Sequence, residues 1–186
     1  MAQRKRVSKG KSINPTYYVF CEGETEEAYV KWLKSKYRVS IEIDAKISGN
    51  DICERYISSY KRKKPTHVKD KTFLLYDADA QHTLERLKQI KSAQLLLSNP
   101  CIELWFLLHL QEHSAHISSE DCVKKIKKHH PEYEKGKISK TLKDSLEAGE
   151  DKSCNRAKKL KSPANPSTQI PDLILQIKES SSLKNS

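Results

Sequence analysis

Two unbroken apolar runs limit this chain's fold more than any other feature. Tyr17-Tyr18-Val19-Phe20-Cys21 and Phe73-Leu74-Leu75-Tyr76 show no alternation of polar and apolar side chains. A strand with one wet face alternates, whereas a short run apolar at every position is buried on both faces, as in a parallel sheet covered by helices. The intervening sequence supplies those helices. Thr25 can cap a helix reaching about Tyr37, with Ala28, Trp32, Leu33 and Lys36 on one face and Glu26 and Glu27 in its first turn. Val39 to Ile43 alternates with period two and predicts a second strand, after which Asn50 or Asp51 can cap a helix through Cys53, Tyr56, Ile57 and Tyr60. Leu84, Leu87 and Ile90 predict a further helix, Ala93 to Leu97 a strand, and Pro100 introduces a helix over Ile102 to Leu110. The order β-α-β-α-β-α-β-α implies an α/β fold, a mainly parallel Rossmann-like sheet flanked by helices.

Beyond Gln111 the sequence turns to Lys, Ser and His with weak helical periodicity, ending in the apolar Asp172 to Ile177 segment. The expected organisation is a basic disordered arm at 1–14, an α/β core at 15–110, a helical region at 111–178 packed on the core, and a short tail at 179–186. With 186 residues, 36% of them apolar, and a mean hydropathy of −0.77, the core is compact and the surface heavily charged. No apolar run approaches the length of a membrane span. The basic N-terminus has no apolar stretch behind it, so no signal peptide is expected, and a soluble cytoplasmic protein is. The five cysteines are odd in number and widely spaced, which predicts free thiols rather than a disulfide framework or zinc ribbon.

Charge gives the first functional clue. Lys and Arg number 35 against 24 Asp and Glu, a formal net charge of +11, and such a chain attracts polyanions, nucleic acid above all. The basic residues come in runs: Lys61-Arg62-Lys63-Lys64, then Lys124-Lys125 and Lys127-Lys128, then Arg156, Lys158 and Lys159. The competing interpretation is a solvated surface. Acids concentrate elsewhere, at Glu22, Glu24, Glu26 and Glu27.

In an open parallel sheet, ligands gather beyond the C-terminal ends of the strands. Two strands end in acids there: the first in Glu22-Gly23-Glu24-Thr25-Glu26, the third in Asp77-Ala78-Asp79. Convergence of Glu22, Glu26, Asp77 and Asp79 would be strongly repulsive without a cation. Hard oxygen donors without thiolate or imidazole suit Mg²⁺ or Mn²⁺, the metals of phosphoryl chemistry. Each motif alone is weak, since Asp caps many helices and Glu-Gly often follows a strand.

The segment Val19 to Glu26 resembles the first strand and loop of Toprim-type domains, found in topoisomerases, primases and OLD-family nucleases, and Asp77-Ala78-Asp79 matches their D-x-D. Ser98-Asn99-Pro100-Cys101-Ile102-Glu103-Leu104-Trp105-Phe106-Leu107-Leu108-His109 and Asn165-Pro166-Ser167-Thr168 are similar to the RloB-like (AbiL-type) family, Toprim-related prokaryotic proteins associated with phage defence and encoded beside an ATPase. The resemblance implies Glu22, Asp77 and Asp79 as catalytic residues, and Glu22, Glu26, Asp77, Asp79 and Glu103 as ligands of Mg²⁺ or Mn²⁺. Glu103 can equally be a carboxylate favoured by its helix dipole, and Ser98 and Asn99 read as caps. The implied activity is metal-dependent cleavage of DNA, tRNA or other RNA in abortive infection, with a separate ATPase subunit as partner. No G-x-x-x-x-G-K-[ST] is present, so the chain is no P-loop ATPase itself.

A non-catalytic adaptor that docks on nucleic acid or on the ATPase is the rival class, and primase-like synthesis a third. His109, His113 and His116 fall on one face of a continuous helix, but the H-E-x-x-H spacing of a zinc protease is absent. Trp32 and Trp105 read as core.

Overall fold

The computed structural model describes residues 14–37, 42–78 and 81–182. Most of the basic arm, Val39 to Ile41 of the expected second strand, Asp79 and the last residues of the tail lie outside the described residues. The five-stranded sheet has the order β2-β1-β3-β4-β5, from β1 (Thr16–Cys21), β2 (Glu42–Ile47), β3 (Lys71–Asp77), β4 (Gln94–Asn99) and β5 (Ser167–Thr168). The first four strands run parallel and β5 joins β4 antiparallel.

The apolar runs become central strands for the reason their composition gives. Tyr17, Val19, Cys21, Phe73 and Leu75 enter one core, whereas Tyr18, Phe20, Leu74 and Tyr76 enter another on the opposite face. Helices α2 (Glu54–Lys61) and α3 (Gln81–Lys88) lie over the smaller face, where Ile57 and Leu87 are buried. The larger face carries α1 (Glu24–Tyr37), α4 (Ile102–Leu110), α5 (Ser119–His129), α6 (Lys140–Ala148), α7 (Glu150–Lys158) and α8 (Ile170–Ser182). Helix α4 is the hub, buried at every position from Ile102 to His109. Burying one Leu or Phe is worth roughly 1.5–3 kcal/mol, which explains why an all-round apolar helix of this kind lies inside rather than on the surface. Trp105 and Trp32 are both core residues, and Trp105 Nε1 donates to Tyr29 Oη at 2.7 Å.

Several local expectations are corrected. Strand β2, described over Glu42–Ile47, runs on past Ile43, where the alternation ends, because an edge strand needs no sustained apolar pattern. Asn50 and Asp51 form a short 3₁₀ turn, Gly49–Asp51, and Cys53 is the N-cap of α2. Thr25 lies inside α1 rather than capping it. The buried stripe of α1 is Tyr29, Val30, Trp32 and Leu33, with Ala28 and Lys36 at its margin. Helix α8 runs on to Ser182, past the expected end of the helical region. The histidine face does not form, since α4 stops at Leu110 before His113 and His116. His109 is instead a core residue, its Nδ1–H donating to Trp105 O at 2.9 Å and its Nε2 lying 3.1 Å from Ser153 Oγ. All five cysteines are free, and among the described residues no helix is long and apolar enough to cross a membrane.

Candidate functional site

The strand order reverses between β1 and β3, since β1 connects outward to β2 while β3 connects to β4 on the other side. Such a reversal opens a crevice at the C-terminal edge of the sheet. Glu22 and Asp77 flank it. The Glu22 N–H donates to Leu75 O at 3.1 Å, continuing the ladder one residue past β1. Its side chain then turns across the crevice, where Oε2 accepts the Asp77 N–H at 2.8 Å. Asp77 Oδ1 in turn accepts the Ile102 N–H at 3.0 Å. The first turn of α4 therefore faces Asp77, and Glu103 follows one residue later. Cys101, not Ser98 or Asn99, is the N-cap of α4. Ser98 and Asn99 hold the neighbouring chain: Ser98 Oγ and Thr168 Oγ1 are 2.8 Å apart, Ser98 O accepts from Ala78 N–H, and Asn99 Nδ2 donates to Pro163 O at 2.8 Å.

Glu22, Glu24, Glu26, Asp77 and Glu103 line one cavity of ≈ 320 Å³, with Gly23, Thr25, Lys135 and Gly136 completing its wall. Of the four carboxylates expected to converge, Glu22, Glu26 and Asp77 line this cavity, and Glu103 lines it with them. Asp79 lies outside the described residues, so its place in the cluster is not described. Glu26, on the first turn of α1, folds back so that Oε2 accepts the Gly23 N–H at 3.0 Å. Glu103 is buried, with Oε1 accepting from Tyr133 Oη at 2.9 Å and Lys135 Nζ 3.8 Å away.

The electrostatics follow from crowding in a partly dry crevice. Burial first, then the Glu103 and Glu22 charges, push the Glu26 carboxyl up to about 7 despite its backbone hydrogen bonds. Burial also dominates at Asp77, and with Glu26, Cys101, Glu22 and Glu103 it raises that carboxyl to about 10. Burial disfavours the Lys135 ammonium, but Glu103, Cys101, Asp77 and Glu26 outweigh it and hold its pKa above the ordinary lysine value. A set of oxygen donors that oppose one another's ionisation suits a hard divalent cation in chemistry. Among the described residues, however, no three Asp, Glu, His or Cys side chains stand close enough together to share an ion as placed.

Lys135 and Gly136 are residues of the cavity wall that the sequence did not single out. They lie on the segment between α5 and α6, more than a hundred residues after β1, and Gly136 N–H donates to Thr25 Oγ1 at 2.9 Å. Gly136 has φ +79°, and a Cβ there would meet Glu24 Oε2 at 3.0 Å. One signal was available. The chain has only five glycines, and Gly23 and Gly136 line the cavity while the space beside Gly49 opens on Glu22 O.

The basic runs do not gather at this cavity. Lys61 Nζ donates to Thr72 Oγ1 at 2.9 Å over the Tyr18 ring, and Lys64 pairs with Asp44, which places both at the N-terminal edge of the sheet, opposite the carboxylates. Arg62 and Lys63 are exposed beside them. Arg156 Nη1 donates to Leu108 O at 2.6 Å, satisfying a carbonyl at the end of α4. Lys124 pairs with Asp121 and Lys159 with Glu112, both on the surface. Lys128 and Lys158 are exposed and Lys125 half-buried.

Fold and site together define a Rossmann-like α/β protein with a carboxylate-lined crevice at the switch point of its parallel strands. The chain belongs to the RloB-like protein family, whose model matches residues 17–177. No curated protein and no solved structure matches it.

Proposed function

We propose that this protein is a Toprim-type nuclease that uses Mg²⁺ or Mn²⁺ to hydrolyse phosphodiester bonds in DNA, tRNA or other RNA. The observation that carries this reading is the meeting of Glu22, Glu26, Asp77 and Glu103 with Lys135 in one crevice at the C-terminal edge of the sheet. Glu22, Glu26, Asp77 and Glu103 would hold the metal, with Asp79 following Asp77 in the sequence as a further ligand. A bound divalent cation polarises the phosphate and supplies a nucleophile from water at neutral pH. Glu22 and Asp77 are oriented at the crevice by the Asp77 and Ile102 N–H groups, and a bound cation would displace the proton that burial and crowding keep on Asp77. Lys135 offers a cation to the phosphate oxygens from the opposite wall. The family supports the wider setting: an effector of prokaryotic anti-phage abortive infection, working with a separate ATPase subunit.

One observation favours a second reading, a non-catalytic adaptor for nucleic acid or the ATPase. Each of these carboxylates already accepts a protein hydrogen bond, and no three of the described ligand-type side chains are close enough to share an ion. Incubating the purified protein with plasmid, single-stranded DNA and total tRNA, in Mg²⁺, Mn²⁺ or EDTA, separates the two. Metal-dependent cleavage that is lost in Asp77→Asn is the expected result. Binding without cleavage of any polymer, alone or with the ATPase, would sink the nuclease in favour of the adaptor.

A further inference from the structure

Among the described side chains, cations outnumber acids at the N-terminal edge of the sheet. Two acids there are engaged internally: Asp44 binds Lys64 and accepts from Tyr60 Oη, and Asp70 accepts the N–H groups of Thr16 and His67. Lys61 and Lys64 rest over the Tyr18 and Tyr60 rings. Lys71 lies over Tyr17 and is met by the neutral amide of Gln176 rather than by a carboxylate of the described residues. Arg62, Lys63 and Lys69 project outward as exposed side chains. Aromatic rings thus hold the inner cations in place beneath an outer layer of cations open to solvent.

Thr72, where Lys61 docks, and Asp77 belong to the same strand. Five residues of extended chain at about 3.3 Å each separate the basic edge from the carboxylate crevice by about 17 Å. Charges at that distance in salt barely influence the crevice directly, since the Debye length is about 8–10 Å. Duplex nucleic acid advances about 3.4 Å per base pair, so about five base pairs cover the interval.

We propose that the surface formed by Arg62, Lys63 and Lys69 is a second phosphate-backbone anchor, remote from the crevice, which favours nucleic acid long enough to reach from one edge of the sheet to the other. This inference rests on the nuclease reading for its partner, because a phosphate polymer is the polyanion that reading already requires. A regular row of phosphates fits the exposed cations of the segment between α2 and β3 without any base contact.

The test is binding in EDTA, where cleavage plays no part. Fluorescence anisotropy compares a 24-base-pair DNA duplex, an RNA stem of the same length and a hairpin of about three base pairs, too short for the interval, each against the natural chain and an Arg62→Glu/Lys63→Glu/Lys69→Glu variant. All three side chains are exposed, and the corresponding glutamine variant separates charge loss from charge reversal. Expected for the long probes is a fall in affinity of about ten- to a hundredfold, with the salt slope of log K reduced by about 2–3, and a clearly smaller loss for the hairpin. Unchanged affinity for the long probes overturns the anchor, as does an equal loss for long and short ones. A variant that binds nucleic acid normally but no longer the ATPase also overturns it, by showing that the surface faces protein. The cleavage assay with Asp77→Asn decides the nuclease reading separately, so either can fail alone.

Discussion

Glu22 Oε2 accepts the main-chain N–H of Asp77 at 2.8 Å, so the carboxylate that closes the first strand is fastened to the residue that closes the third. Each acid thereby fixes the other's position as well as adding charge. Glu22→Gln and Asp77→Asn keep the shape and the hydrogen-bond acceptor but remove a carboxyl that can ionise to hold a cation. Metal-dependent cleavage is expected to fall by at least about 10²-fold in each, with nucleic-acid affinity equal or higher because phosphate repulsion is relieved. Neither should unfold the chain, since a buried carboxyl crowded by others is costly to ionise. Rate and affinity measured on both variants check this, and full activity in either would remove the site.

Gly136 closes the wall of the crevice in a conformation that L side chains rarely adopt, with φ +79° and Glu24 against its open side. Gly136→Ala should cost about 1–2 kcal/mol of stability from backbone strain. It should also displace Lys135 and so reduce cleavage. Urea unfolding reads the first effect and steady-state rates the second. An alanine variant as stable and active as the natural protein would show that this segment plays no part in shaping the crevice.

Tyr133 donates to Glu103 Oε1 at 2.9 Å from the far side of the cavity wall. Tyr133→Phe leaves Glu103 in place but frees its orientation, and such outer hydrogen bonds are typically worth 10–100-fold in metal affinity or activity. The expected signature is a rise in the metal concentration needed for half-maximal cleavage, with activity recovering at high metal. Unaltered metal dependence would leave Tyr133 a packing residue only.

Far from the crevice, His109 sets an acid limit on the fold. Burial lowers its pKa to about 4, against a partial gain from the Trp105 carbonyl. The folded state therefore resists a proton that the unfolded chain accepts at its ordinary value near 6.5. This contribution is intact above about pH 6.5 and is lost as pH falls toward 4, by about 2–3 kcal/mol in all. Relative to His109→Gln, whose crevice acids are the same, the urea midpoint of the natural chain should fall as the pH drops from 7.5 through 6 and 5 to 4. A midpoint equally pH-dependent in both proteins would assign the effect elsewhere.

The strands of the core and the acids that end them were legible because both are local: an apolar run, then Glu-Gly or Asp-Ala. Helix α4 was legible for the same reason, with Pro100 before it and the apolar run Leu104 to Leu108 inside it. Strand β5 was not, since Ser167-Thr168 is two polar residues whose pairing depends on Leu97, Ser98 and Gln169 across the sheet edge. Lys135 and Gly136 were hidden in a lysine-rich stretch, and only chain crossing delivers them to Thr25 and Glu103. The basic runs looked uniform in sequence. Burial and partners divide them, leaving Arg156 holding the end of α4 and Lys61 held at Thr72 while Lys63 faces solvent.

The crowded acids also predict how a metal should act on stability. Glu26 and Asp77 have folded pKa values raised to about 7 and about 10, above ordinary unfolded values near 4. Groups of this kind stabilise the fold fully below the unfolded pKa, and that contribution is lost as pH rises through the folded one. Without a divalent cation, the protein should therefore lose stability from about pH 4 up to about pH 10, with His109 acting in the opposite sense over the part below about 6.5. Mg²⁺ or Mn²⁺ displaces those protons and binds the folded state, so its stabilisation should grow with pH. Melting temperatures at pH 5.5 and 8, each with EDTA and with millimolar metal, measure the difference. A shift larger at pH 8, and abolished in Asp77→Asn, is expected. An equal shift at both pH values, or one that survives the substitution, would place the metal somewhere other than the carboxylates at the ends of β1 and β3.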